Sequence, residues 1–407
     1  MTKWFKNIGP GPLVAAAFIG PGTVTVCTIA GVQFGLDLLW AMVFSIVATI
    51  VLQEMAARLG IVTQKGLADV LQSEIKNKLA KRFLVLLVLS AIVVGNTAYE
   101  AGNISGAVLG LEAMFGKMNL QFLGFSINLH VILVGILAFL LLFQGSYKLL
   151  EKVLLAMVIL MSVSFLAVAV VTRPNIVGII KGIIMLKRPE GSLMTIVGLI
   201  GTTVVPYNLF LHASLAKEKW KGSEGLKFAR TDTGIAVVLG GMVSMCVIIA
   251  ASAVNDLEVT NASDLAKSLE PLFGAFSKYV ISVGLFAAGI TSAITAPLAA
   301  AYVACGCFGW PSNLKSTRFK VVWSVVLLVG VLVSMGGFNL IEIIRFGQFS
   351  NGLLLPLIAG FLLWAMNRAS LLGTYKNSMF QNSLGMIILV VTILLGLKSI
   401  LKVLQVV

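Results

Sequence analysis

Eleven long runs of apolar residues constrain this chain more than any other feature of its sequence. Each is long enough to span the hydrocarbon core of a bilayer, which takes a helix of roughly 17–25 residues. With 58% hydrophobic and only 11% charged residues, the composition excludes a soluble globular protein of this length. The sequence therefore predicts an all-α polytopic membrane protein with a single integral domain over residues 1–407. The predicted segments cover residues 11–34, 36–57, 83–110, 128–145, 153–171, 192–215, 234–254, 278–304, 320–337, 343–366 and 382–404.

Two of these runs are interrupted by short stretches that contain proline. The first interruption reads Gly-Pro-Gly-Thr at residues 20–23, and the second reads Thr-Thr-Val-Val-Pro-Tyr-Asn at residues 202–208. Backbone N–H and C=O groups cannot stay unpaired in lipid, so a broken helix is tolerated at mid-membrane only where it is buried or lines a wet cavity. Two broken helices in corresponding positions of two halves predict a binding site between them.

The broken segments are the first and the sixth, so they lie five segments apart. Segments one to five and six to ten can therefore form two repeats, over about residues 11–171 and 192–366. Because each repeat has an odd number of helices, the second is inverted relative to the first. This pattern predicts a leucine-transporter-type fold, with an extra eleventh helix at about residues 382–404.

Basic residues in the loops indicate how the chain is oriented. If the N-terminus is cytoplasmic, the inner segments hold 20 of the 30 Lys and Arg residues and the outer segments hold 10. This asymmetry favours a cytoplasmic N-terminus and an outer C-terminus in a bacterial-type plasma membrane. The net charge of +14 then reflects topology, and no nucleic-acid partner is predicted. No removable signal peptide is evident in the first eight residues.

Groups around the two breaks are the candidate binding groups. Carbonyl oxygens freed by unwinding can coordinate a cation, whereas the N–H groups that begin the next half-helix favour an anionic group. Gln348 and Asn351 lie three residues apart on one helical face and can reach the same cavity. The candidates are Gly20, Gly22, Thr23, Thr202, Thr203, Tyr207, Asn208, Gln348 and Asn351.

Two titratable residues are candidates for carrying a coupling proton or ion. Glu100 lies inside the third apolar segment, where a carboxylate costs about 2.5–3.5 kcal/mol to insert and is a functional candidate by default. A buried, hydrogen-bonded acid with a purely structural role is an equally good interpretation. His212, near the second break, is the other candidate.

Five stretches of the chain together resemble the motifs of a known family. Residues 200–212 are similar to a sixth-helix motif and residues 288–295 to an eighth-helix motif, while residues 9–13, 52–63 and 147–151 resemble the first-, second- and fifth-helix motifs. The family is that of the natural-resistance-associated macrophage proteins (NRAMP), which are proton-coupled divalent-metal transporters. The resemblance extends over nearly the whole chain and implies the NRAMP fold.

The chain departs from this family where the family binds metal. The family reads Asp-Pro-Gly-Asn in helix one, and both polar residues bind metal, but the matching residues 20–23 contain no carboxylate. In helix six the family uses an alanine carbonyl and a methionine sulfur, whose positions are occupied by Thr202 and Val205. A histidine linked to proton movement is replaced by Tyr207. Val205 joins the candidate binding residues through this match.

Three further positions follow from the same resemblance. A third-helix aspartate of the family matches Thr97, whereas the glutamate three residues later matches Glu100. Gln348 matches a tenth-helix glutamine that can approach the metal. The resemblance therefore implies that one acid and one amide of the family's machinery are retained.

Loss of the carboxylate and the thioether removes ligands that Mn²⁺ and Fe²⁺ prefer. The sequence therefore favours a secondary active transporter with a rebuilt, neutral site for a small polar or zwitterionic solute. The alternative is a divalent-cation transporter, proton-coupled or uncoupled, for an ion such as hydrated Mg²⁺. A non-transporting membrane sensor is a lesser alternative. No nucleophile–base pair, phosphate loop or zinc motif indicates an enzyme, and no cofactor is predicted. The expected partners are the solute or ion, a coupling proton or cation, and the lipid bilayer.

Overall fold

The computed structural model describes residues 9–122, 125–171, 175–253 and 277–403. Within these ranges every predicted segment coincides with a helix or a pair of helices, and eight helical stretches are long and apolar enough to cross a membrane. The fourth segment holds a shorter apolar helix, the fifth holds a shorter apolar stretch within a long helix, and the first is divided into two half-helices. The chain is therefore an integral membrane protein built from helices.

The first half of the chain contains segments one to five. The third segment extends beyond the predicted 83–110 at both ends, from Lys78 to Phe115, and a π-helical stretch over Ser90–Val94 joins its two helices without a gap. The helices are α1 (Gly11–Phe18), α2 (Pro21–Phe34), α3 (Leu39–Thr63), α4 (Leu67–Glu74), α5 (Lys78–Leu89), α6 (Gly95–Phe115), α7 (Leu129–Gln144) and α8 (Tyr147–Val171).

The second half of the chain contains segments six to eleven. The seventh segment, predicted over 234–254, begins earlier because its first turns are polar and lie outside the apolar run. Residues 254 and 404, which end two predicted segments, lie outside the described residues. The helices are α9 (Ile176–Ile184), α10 (Leu193–Thr203), α11 (Pro206–Lys219), α12 (Gly222–Ala251), α13 (Ser277–Phe308), α14 (Thr317–Met335), α15 (Leu340–Met366), α16 (Ala369–Leu372) and α17 (Met379–Val403).

Elements in the loops correct the all-α prediction in detail. Strands β1 (Asn119–Phe122) and β2 (Phe125–Asn128) form an antiparallel hairpin between α6 and α7, in which Asn119 pairs with Asn128. The short helices α4 and α9 connect membrane segments and are not among the predicted elements. The leucine-transporter-type arrangement of the membrane helices is unaffected.

Small residues bring the central helices into close contact. Helix α6 packs against α13, α14 and α15. A Cβ atom added to Gly106 of α6 would lie 1.9 Å from Cβ of Pro21, and one added to Gly289 of α13 would lie 2.4 Å from the backbone nitrogen of Ala107. Such close backbone approach is how membrane helices pack without a hydrophobic driving force between them. The first break is thereby held directly against the central helix α6.

Candidate functional site

The first break separates α1 from α2 at Ile19 and Gly20. Ile19 leaves the helix with ψ of 64°, and Gly20 is extended, with φ of −95° and ψ of −179°. Helix α2 then begins at Pro21, whose missing N–H and fixed φ suit the first position of a helix. The predicted interruption is therefore present as a break between two half-helices.

Two glycines of this break allow polar side chains to approach the backbone. A Cβ atom at Gly20 would lie 2.6 Å from the Ser292 hydroxyl oxygen and 3.5 Å from the Tyr99 hydroxyl oxygen. A Cβ atom at Gly22 would lie 1.8 Å from Nε2 of Gln348. The glycines are thus required by close approach, and groups from α6, α13 and α15 surround the break.

The second break separates α10 from α11 at Val204 and Val205. Val204 has φ of −91° and ψ of 73°, Val205 is extended, and α11 begins at Pro206. A Cβ atom at Gly201, just before the break, would lie 2.3 Å from the backbone oxygen of Gln348. Both breaks therefore contact α15 at the same residue, which brings the two of them together.

Two predicted binding residues of α11 use their donor groups to hold α1. The Tyr207 hydroxyl donates to the Ala17 carbonyl oxygen at 3.1 Å, and Nδ2 of Asn208 donates to the Val14 carbonyl oxygen at 3.0 Å. The carbonyl of Val205 accepts from the backbone N–H of Asn208 at 3.0 Å. Each of these three carbonyls, two in α1 and one at the second break, therefore already accepts a hydrogen bond, which reduces the lone pairs that a substrate can use.

Threonine hydroxyls at both breaks present oxygen lone pairs. Thr23 donates its hydroxyl hydrogen to the Phe18 carbonyl. Thr202 and Thr203 donate to the Leu199 carbonyl at 2.8 and 3.3 Å. A hydroxyl has one hydrogen and two acceptor lone pairs, so each of these oxygens can still accept or coordinate. This arrangement suits a cation or a hydrogen-bond donor better than an anion.

Several buried polar atoms near the breaks have no hydrogen-bond partner among the described residues. They are the hydroxyl oxygens of Thr25, Tyr99 and Ser292, Oδ1 of Asn208, Oε1 of Gln348 and Nδ2 of Asn351. Rotation of an amide exchanges its oxygen and nitrogen, so Asn351 can present either atom. An unpaired buried polar atom is costly, and a bound ion, water or ligand is the usual explanation for one. The sequence interpretation had not selected Ser292 or Tyr99, although Tyr99 directly precedes Glu100 and Ser292 lies in a small polar run of α13.

Glu100 is buried beside the site but is directed towards a different helix. Its Oε2 accepts from Asn103 at 3.2 Å, and its Oε1 has no partner among the described residues. A Cβ atom at Gly330 of α14 would lie 2.5 Å from Cγ of Glu100. The preceding residue, Tyr99, packs its ring against Tyr207 with centroids 5.4 Å apart. Glu100 therefore directly follows the residue that packs against the second break, while its own carboxylate stem lies against α14.

His212 lies between helices α3 and α12. Its Nδ1 is 2.9 Å from Oε1 of Gln53, and its Nε2 is 3.5 Å from the Thr233 hydroxyl oxygen. Neither of these contacts involves a residue of the breaks. The structure therefore does not bring His212 together with the other candidates, although it lies on the same half-helix as Tyr207.

The candidate site has a neutral set of possible ligands. No group of three or more His, Cys, Asp or Glu side chains that could hold a metal ion occurs in the part of the chain that the structure describes. The oxygen atoms available at the breaks belong to threonine, serine and tyrosine hydroxyls, side-chain amides and the backbone. Such atoms are ligands for hard cations that retain part of their hydration shell.

Comparison with known sequences identifies a family and relatives. A family model described as natural resistance-associated macrophage protein-like matches residues 11–402. The divalent metal cation transporter MntH of Verminephrobacter eiseniae is 26% identical over 382 residues, which cover 91% of this chain and 83% of that relative.

Comparison with solved structures supports the fold. A mutant of the manganese transporter of Eremococcus coleocola matches with a TM-score of 0.79 at 22% identity, covering 98% of this chain and 88% of that one. MhsT in complex with L-phenylalanine matches with a TM-score of 0.64 at 15% identity, covering 95% of this chain and 98% of that one. The predicted leucine-transporter-type fold is confirmed.

Proposed function

Because this chain belongs to the natural resistance-associated macrophage protein-like family, we propose that it transports divalent metal cations, held by neutral oxygen ligands between the two helix breaks. The observation that carries the proposal is the meeting of both breaks at Gln348, whose Oε1 is buried and unpaired among the described residues. The matched relative is named as a divalent metal cation transporter. Family membership and ligand chemistry therefore support the same substrate class.

The comparisons do not support the polar or zwitterionic solute that the sequence favoured, and they fit the metal-cation alternative better. Site geometry agrees with this correction. Tyr207 and Asn208 donate to α1, and the hydroxyls of Thr23 and Thr202 donate to helix carbonyls. These four residues therefore each use a donor within the protein, whereas Oε1 of Gln348 and the lone pairs of the threonine hydroxyls remain, and lone pairs bind cations.

Ligand chemistry suggests which cation the site prefers. Mn²⁺ and Fe²⁺ gain affinity from imidazole and sulfur ligands, and neither type is among the candidate ligands at the breaks. Mg²⁺ releases its water reluctantly and is commonly bound through a few oxygen atoms while it keeps several waters. We therefore expect Mg²⁺ to be carried at least as well as Mn²⁺.

Uptake into proteoliposomes tests the proposed function. The full chain, reconstituted with an internal divalent-metal dye, is expected to show saturable entry of Mg²⁺ or Mn²⁺. The double substitution Gln348→Leu with Asn351→Leu removes both amides and is expected to lower uptake about 100-fold, the factor given by ~2.8 kcal/mol of lost binding free energy.

The control for this experiment is Gln144→Leu, which changes an exposed glutamine at the end of α7. It is expected to leave uptake unchanged. Absence of metal uptake by folded wild-type protein, together with a thermal shift caused by an organic solute, would contradict the metal-cation proposal and restore the polar-solute interpretation.

Glu100 is the group proposed to couple proton movement to transport. It is fully buried, and one of its oxygens has no partner among the described residues. Glu100→Gln keeps the shape of the side chain but cannot exchange a proton. We expect the variant to retain metal uptake in the dye assay while losing the accompanying proton flux, measured with an internal pH dye.

Glu112→Gln is the matched control for this substitution. Glu112 lies on the same helix but is partly exposed and accepts from Asn128 at 2.8 Å. It is expected to leave proton flux unchanged. If Glu100→Gln moves protons like the wild type, Glu100 is a structural acid, and the coupling ion is carried elsewhere or not at all.

The orientation remains a prediction, with the N-terminus cytoplasmic and the C-terminus outside. Contacts support the predicted grouping of loops on one side of the membrane, because groups that the prediction assigns to the inner side meet one another. Arg58 donates to Asn377 at 2.7 Å and pairs with Glu54 at 3.1 Å, and Glu54 also pairs with Arg230 at 2.8 Å. The ends of α3 and α12 and the loop before α17 therefore share one side. The division into repeats over about residues 11–171 and 192–366 is part of the same proposal.

A further inference from the structure

A large apolar cleft lies between α1, α8 and α12, and its lining includes none of the residues proposed to bind the substrate. Its volume is about 650 Å³. Ala15 and Ile19 of α1 form one side, and side chains such as Val163 of α8 and Leu239 of α12 form the others. The cleft is therefore bounded partly by the half-helix that ends at the first break.

The cleft is open towards the surface of the membrane-spanning region. Val163 is 62% exposed and Leu239 is 58% exposed. Both belong to apolar helices that cross the bilayer or lie within it. At that depth the surrounding medium is hydrocarbon, so a lipid tail is the molecule chemically suited to occupy the cleft.

One end of the cleft is polar and carries positive charge near it. Thr231 and Asp232 are part of its lining at this end. Exposed Lys227 precedes Thr231 by four residues, and exposed Lys152 precedes the lining residue Leu155 by three, so each lysine lies on the helical face that borders the cleft. Arg230 is also exposed here, although it pairs with Glu54.

The carboxylate of Asp232 is engaged in hydrogen bonds with the backbone. Its two oxygens accept from the backbone N–H groups of Gly9 at 3.1 Å and Gly11 at 2.7 Å. It thus closes the start of α1, where a negative charge is favoured by the helix dipole. Exposed Glu224 precedes the lining residue Phe228 by four residues, so the headgroup contacts available beside the polar end of the cleft are the two lysines, Lys152 and Lys227.

We propose that this cleft binds one phospholipid with an anionic headgroup, whose tail packs against α1, α8 and α12 and whose phosphate lies near Lys152 and Lys227. The proposal does not depend on which substrate the protein carries. A lipid in this position contacts Ala15 and Ile19 and so stabilises the observed position of α1. The lipid would therefore modulate the half-helix that forms one wall of the first break.

The tail site is tested by native mass spectrometry of the full chain, extracted in mild detergent and supplied with phosphatidylglycerol. Val163→Trp fills the cleft from its exposed side and is expected to reduce the lipid-bound fraction about tenfold, equivalent to ~1.4 kcal/mol. Val325→Trp changes a 50% exposed valine on α14, outside the cleft, and is expected to bind lipid like the wild type. The proposal is wrong if both variants retain the same lipid-bound fraction. It is also wrong if Val163→Trp removes a bound second copy of the protein and leaves lipid binding unchanged.

The headgroup site is tested by competition between phosphatidylglycerol and phosphatidylcholine in nanodiscs. Lys152→Gln and Lys227→Gln are each expected to lower the preference for phosphatidylglycerol about fivefold, the factor expected for one lysine near an anionic surface. Lys398→Gln changes an exposed lysine of α17 that does not line the cleft and is expected to have no effect. If the wild type retains phosphatidylcholine as firmly as phosphatidylglycerol, the cleft holds hydrocarbon without headgroup selection and the proposal is wrong.

Discussion

Gly22→Ala is expected to reduce cation uptake about 100-fold, the loss that a displacement of about 1 Å at a reacting or binding group can cause. The added Cβ atom would lie 1.8 Å from Nε2 and 2.3 Å from Cδ of Gln348. Because these atoms form the flexible end of a side chain, Gln348 can rotate away while the fold is kept. The variant should therefore remain folded and lose the amide from its position between the breaks.

Gly234→Ala is the control for this experiment. Gly234 lies inside α12, and a Cβ atom added there has no heavy atom within 4 Å. Alanine in a helix interior is favoured over glycine by roughly 0.5–1 kcal/mol, so this variant should be at least as stable as the wild type and transport normally. Uptake by Gly22→Ala at the level of Gly234→Ala would show that Gln348 is not at the substrate site.

Arg58→Met is expected to destabilise the protein by about 1–3 kcal/mol, the cost of leaving buried hydrogen-bond acceptors unsatisfied, because Glu54 keeps its pair with Arg230. Arg58 is only 2% exposed and lies 3.1 Å from Oε2 of Glu54. Its guanidinium also donates to Asn377 at 2.7 Å and to the Tyr375 carbonyl at 3.0 Å. Thermal unfolding in detergent would show the loss as a lower midpoint.

Arg345→Ala provides the comparison for Arg58→Met. Arg345 pairs with Glu342 at 2.8 Å, but the two side chains are 46% and 64% exposed. Exposed pairs contribute about 0–1 kcal/mol, so the unfolding midpoint should hardly change. Equal destabilisation by the two substitutions would contradict the role of Arg58 as the residue that joins α3 to the loop before α17.

The breaks could be predicted from the sequence because proline and glycine act locally. Pro21 and Pro206 each open the second half of a broken segment, as the interruptions indicated. The membrane segments could also be predicted, since the length of an apolar run is a property of the sequence alone. Short connecting elements such as α4, α9 and the hairpin lack this length signal, and they were not predicted.

Partners across the fold could not be predicted from the sequence. Tyr207 and Asn208 were expected to face a substrate, but whether their donors are free depends on α1, which lies some 190 residues earlier in the chain. Ser292 belongs to the site only because Gly20 lets it approach. His212 shares a half-helix with Tyr207, yet its position on another face directs it to α3 and α12. Such choices are made by tertiary packing.

Backbone groups near both ends of α1 are hydrogen-bonded by other helices, and this has a consequence for the biogenesis of the protein. The N–H groups at its start donate to the carboxylate of Asp232, and two of its carbonyls accept hydrogen bonds from Tyr207 and Asn208. All of these partners are synthesised 190 to 223 residues after the groups that they satisfy. Because unpaired backbone groups are costly in lipid, α1 reaches its final position only after α11 and α12, which follow it in the chain, have been inserted.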